Sequence, residues 1–153
     1  MVNDLAVGIL TVLGGAISGF IGISYSEYQS RRKQRKELKE WYNTTILLAK
    51  RVERIHSEDF NGSGDYIGDA LSGVIGRLTE HLMDSPSDVD TEILNRCEEL
   101  AAECENARAF LRADRIRNTR ASSEQGPPTR NAVEKARDVR VMAEDAKTDV
   151  GWL

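Results

Sequence analysis

The alternation of apolar and polar positions divides the chain into one unbroken apolar stretch and several periodic ones. From Leu5 to Tyr25 (LAVGILTVLGGAISGFIGISY) run 21 residues without a charge. A helix of about 20 apolar residues crosses the roughly 30 Å hydrocarbon layer with every backbone hydrogen bond closed internally. The stretch is therefore expected to form a single transmembrane helix, with Tyr25 and Tyr28 at its interfacial end. A cleavable signal would carry basic residues ahead of a shorter apolar core. Here Met-Val-Asn-Asp comes first and the basic residues follow.

Beyond Tyr25 the apolar residues recur in alternating steps of three and four, which is the period of a helical seam. Leu38, Trp41 with Tyr42, Thr45, Leu48, Val52 and Ile55 define a helix over residues 26–57, with no Gly or Pro between it and the apolar stretch after Gly22. SEDFNGSGD is a turn cluster. A second helix over 65–83 has the seam Ile67, Leu71, Val74 with Ile75, Leu78 and Leu82. Gly68, Gly73 and Gly76 weaken it, or serve close packing against a neighbour. Pro86 breaks the chain, and Ser87 or Asp90 can cap a third helix over 89–119 with the seam Ile93, Cys97, Leu100, Cys104, Ala107 and Leu111. SSEQGPP is a loop, and Thr129 is expected to cap a fourth helix reaching Lys147, whose stripe of Ala132, Ala136, Val139 and Ala143 is thin enough to pack loosely. The terminal VGWL is expected to fold back, bind a partner or fray.

These elements predict an all-α protein: a single-pass N-terminal membrane helix continuing into a small antiparallel cytoplasmic bundle of three to four helices. The expected organisation is an anchor over residues 1–25, a basic juxtamembrane helix over 26–57, bundle helices two and three over 58–121, and a loop, weak fourth helix and tail over 122–153.

Charge fixes the expected orientation. Arg31, Arg32, Lys33, Arg35 and Lys36 crowd directly behind the apolar stretch. Basic residues flanking a membrane helix stay on the cytoplasmic side. The N-terminus is thus expected outside the cell membrane and the bundle inside, with the basic run against anionic lipid head groups. Within the apolar stretch, Gly15 and Gly19 form one small-residue row and Gly14, Ser18 and Gly22 another. Such rows let helices approach closely in lipid, so self-association is expected. The whole chain carries −4, but from Arg31 to Arg54 nine basic residues face three acidic ones, whereas from Ile55 onward twenty acidic face twelve basic. An acidic bundle with few aromatics argues against nucleic acid as a partner, although Arg108, Arg112 and Arg115 share a helix face; ion pairs with neighbouring acids are the expected role of those arginines.

Candidate chemistry is sparse. Glu53-x-x-His56 has the spacing with which helical di-iron proteins hold one metal, but the chain has no second such pair, so it is half a site that only a dimer could complete. Cys97 and Cys104 lie on a seam about 10 Å apart along a helix, too far for a bridge. They are expected to pack as small hydrophobes in a reducing compartment rather than bind zinc, although in a parallel dimer either could meet its symmetry mate. No nucleophile elbow or phosphate loop occurs. No cofactor is expected, and no enzyme. The expectation is a self-associating scaffold or assembly module that contacts lipid, further copies of itself and a protein partner. The alternatives are a membrane-bound sensor or regulator whose second and fourth helices move, and a dimeric metal-dependent enzyme around Glu53 and His56.

Overall fold

The computed structural model describes the backbone of residues 2–55, 64–117 and 127–152, with side chains over 26–55, 67–113 and 129–150. Among the described residues there are four helices and no strand: α1 Val2–Ile55, α2 Gly64–Met83, α3 Thr91–Arg117 and α4 Pro127–Trp152. The chain divides into two compact units, Met1–Lys36 and Glu37–Leu153, and α1 contributes to both.

The first unit is the N-terminal part of α1. Its residues 26–36 are exposed throughout, Tyr28 included. Among the described residues, no helix is long and apolar enough to cross a membrane. The stretch expected to do so, Leu5–Tyr25, lies outside the described side chains, and with it Gly14, Gly15, Ser18, Gly19 and Gly22.

The second unit has one core to which all four helices contribute. Trp41, Tyr42, Ile46, Leu48, Ala49, Val52 and Ile55 come from α1, and Ile67, Leu71, Val74, Ile75 and Leu78 from α2. Ile93, Cys97, Leu100, Cys104 and Ala107 come from α3, and Ala132, Ala136, Val139 and Ala143 from α4. Val89 fills the core from the α2–α3 turn. The expected seams are the buried ones, because only residues three or four apart stack on one side of a helix. Ile46 and Ala49 widen the α1 seam beyond the expected stripe.

Antiparallel order follows from the pairs between helices. Lys50 faces Glu144 (3.4 Å) and Glu53 faces Arg140 (2.8 Å), so the numbering of α1 and α4 runs in opposite senses. The Trp41–His81 contact joins the end of α2 to a point early in the bundle part of α1. Asp84–Asp90 reverse the chain between α2 and α3, and Glu99 meets Lys135 across α3 and α4 at 2.6 Å. The result is an up-down-up-down four-helix unit.

Four expectations are corrected. Gly68, Gly73 and Gly76 serve no close approach among the described residues: a Cβ built on any of them meets nothing there within 4 Å. Thr129 does not cap α4, which opens two residues earlier on Pro127; proline suits a first helical position because its missing N–H has no intrahelical acceptor there. Its buried hydroxyl finds no hydrogen-bond partner among the described residues. The fourth helix extends past Lys147 to Trp152, and its alanine stripe is completely buried rather than loosely packed, since small side chains let neighbouring helices come close. Cys97 and Cys104 are enclosed in their own core, which removes the contact with a symmetry mate. At α3, Asp90 is the cap, its carboxylate accepting the Glu92 backbone N–H at 2.8 Å.

Candidate functional site

A shallow open cleft of about 350 Å³ lies where the bundle part of α1 meets the end of α2. Its lining is Glu37, Glu40, Trp41 and Thr44 from α1, His81 from α2, and Asp84 and Pro86 from the turn. Helical spacing explains the α1 contribution: residues 37, 40, 41 and 44 share one face. His81 stands three residues after core Leu78, so its ring turns toward α1 at the edge of the core.

The polar groups beneath the cleft form a closed loop. Trp41 Nε1–H donates to the His81 carbonyl at 3.1 Å. The Thr45 hydroxyl donates to the Trp41 carbonyl at 3.1 Å and lies 2.8 Å from His81 Nε2. The neutral imidazole satisfies this contact in either tautomer: Nε2–H donates to the hydroxyl while the hydroxyl donates to the Trp41 carbonyl, or the hydroxyl turns to donate to a bare Nε2. The imidazole lies nearly flat on the Trp41 indole, centroids 4.5 Å apart and planes 15° off parallel. Tyr42 meets Trp41 edge-on, with ring centroids 5.5 Å apart.

Burial pushes the His81 imidazole below its ordinary range, against the Trp41 carbonyl and the Asp84 carboxylate, which favour the cation. Burial raises the Tyr42 phenol, and the Asp90 backbone amide facing it opposes the rise. The cleft therefore joins three carboxylates and an aromatic stack to a histidine that burial makes harder to protonate than a free one.

The other sequence-derived candidates fall elsewhere. Arg31, Arg32, Lys33, Arg35 and Lys36 are exposed on α1. Glu53 is held by Arg140, whose guanidinium is pushed up by that carboxylate. His56 lies outside the described residues, and among the described residues no group of three His, Cys, Asp or Glu side chains is placed to hold a metal. Burial pushes the Cys97 and Cys104 thiols up to about 12. Arg108 pairs with Glu105 on its own helix at 2.5 Å, as its spacing predicts.

Sequence reasoning missed the cleft. Trp41 was visible as a seam residue and His81 as a lone histidine, but nothing in the order of residues says that positions 41 and 81 stack. No protein-family model matches the chain. Neither a curated protein nor a solved structure matches it.

Proposed function

We propose that the chain is a single-pass membrane-anchored protein, its N-terminus outside and its helical bundle at the cytoplasmic face, working as a self-associating scaffold or assembly module. One observation carries this reading. An uncharged stretch of 21 residues on α1 is followed by five exposed basic residues within six positions. At 1.5 Å per residue such a stretch is about 30 Å long, the thickness of the hydrocarbon layer. The basic run behind it is costly to translocate, and near anionic lipid each Lys or Arg contributes about 1 kcal/mol of attraction. Exposed Tyr28 has the amphipathic character of interfacial anchors.

Fractionation tests the anchor: the full chain is expected in the membrane pellet, to stay there through alkaline carbonate, and to leave only with detergent. Release by carbonate would sink the anchor. Self-association through the glycine rows predicts that Gly15→Ile or Gly19→Ile lowers the oligomer fraction in detergent. A second reading, a membrane-bound regulator, is favoured by the titratable histidine that ties α2 to α1.

A further inference from the structure

We propose that the Trp41–Thr45–His81 contact is an acid-operated latch between α1 and the end of α2, closed while the imidazole is neutral and released when it takes a proton. The proposal deepens the regulator reading but depends only on residues of the second unit, so it survives if the membrane anchor fails.

The geometry gives the latch its direction. His81 Nε2 lies against the Thr45 hydroxyl, and an added proton makes both ring nitrogens donors. Charge then develops on a ring lying flat on the indole and half-buried at the edge of an apolar core. The groups around it are known from each side. Glu37 and Glu40 come from α1 and Asp84 from the turn; Arg77 and Glu80 flank His81 on α2 itself. Among the described residues, the cleft lining takes none from α3 or α4. The carboxylates attract the cation, but burial is the largest influence and acts against it, so the closed form prefers the neutral ring.

The sign follows by linkage. A histidine that is harder to protonate when docked contributes its full stability above 6.5, its ordinary value, and loses it as the pH falls from there through the docked value. Release is local because the ring sits in the last turn of α2, where Met83 is 80 % exposed and Leu82 only partly buried, whereas Leu78 one turn earlier is completely buried. Opening uncovers one face of Trp41 and frees the turn 84–90, so the state offered to a partner would depend on the pH at the bundle.

The test uses the full chain in detergent micelles carrying Trp152→Phe, which leaves Trp41 as the one indole. Release lifts the imidazole off the indole and exposes that face to water, which changes the indole emission. Between pH 8 and pH 5, Trp41 emission should titrate with a midpoint below 6.5. Over the same interval amide exchange in residues 78–84, corrected for intrinsic rate, should accelerate several-fold relative to residues 97–104 in α3. His81→Gln should abolish both responses. A midpoint at or above 6.5, or a titration without faster exchange at 78–84, overturns the latch. Should His81→Gln not fold, Thr45→Val gives the second reading: with the hydrogen-bond partner of Nε2 gone, exchange at 78–84 is already fast at pH 7.5, and unchanged exchange there counts against the proposal.

Discussion

Cys97 and Cys104 are the residues whose behaviour their surroundings decide most completely. A thiol reacts as its thiolate, and burial here pushes both thiols up to about 12, with Glu98 beside Cys97 and Glu103 and Glu105 beside Cys104 adding to the effect. Both side chains are also closed to solvent. We expect neither to react with a disulfide reagent at pH 8 in the folded chain and both to react in guanidinium, as a thiol titration with and without denaturant would record. Fast labelling of the folded chain would mean that α3 does not hold its seam inward. Their seven-residue spacing on an apolar seam was enough to assign them to the core, because a helix returns to the same face after two turns. His81 is the contrasting case: its sequence neighbours leave its partners open, and only the approach of α1 gives the ring an indole to lie on and a hydroxyl to hydrogen-bond with.

At the scale of the element, α2 carries a weakness with no packing return. Gly73 and Gly76 are exposed, helical and without neighbours at the place a Cβ would occupy. Glycine in a helix interior costs about 0.5–1 kcal/mol relative to alanine, largely through the freedom it keeps when unfolded. Gly73→Ala and Gly76→Ala should each raise the unfolding free energy by about that amount in urea denaturation. A loss of stability in the oligomer alone would show instead that this face is covered by another copy. The termini of the elements were read less well than their seams. Ser87 and Asp90 were both open as the cap of α3, and the carboxylate one residue before the helix is the one that accepts a free backbone N–H. Thr129 has the same sequence signature, yet Pro127 opens α4 first and leaves the hydroxyl inside the helix.

For the whole molecule, the Glu53–Arg140 pair joins the first helix to the last across 87 positions and holds both side chains about three-quarters covered. Arg140 also reaches Glu144 on its own helix at 3.3 Å. Lys50 and Glu144, on the same pair of helices, are 3.4 Å apart and far more exposed. Exposed pairs contribute little because water and salt screen them. A double-mutant cycle on Glu53→Ala and Arg140→Ala should return a coupling of about 1 kcal/mol, and one on Lys50→Ala and Glu144→Ala a value near zero. Equal couplings would show that α1 and α4 are not held at the observed register. The same pair alters the view of Glu53: its i, i+3 spacing to His56 suggests a metal ligand, but the carboxylate already accepts from an arginine that lies far away in sequence.

What the order of residues determined by itself was periodic and local: a bundle of three to four helices, most of the face each one buries, Ser87 or Asp90 as the cap of the third, and a basic run placed directly behind an uncharged stretch. These follow from the 3.6-residue repeat and from hydrogen bonds between near neighbours, which need no knowledge of the rest of the chain. The tertiary structure alone decided which faces meet. It set His81 against Trp41, Arg140 against Glu53 and Lys135 against Glu99, and it left the α2 glycines facing outward. The physical reason is that many apolar seams are interchangeable as partners, since burial is non-directional. Register between helices is fixed only when complementary side chains, far apart in sequence, interlock at one relative placement.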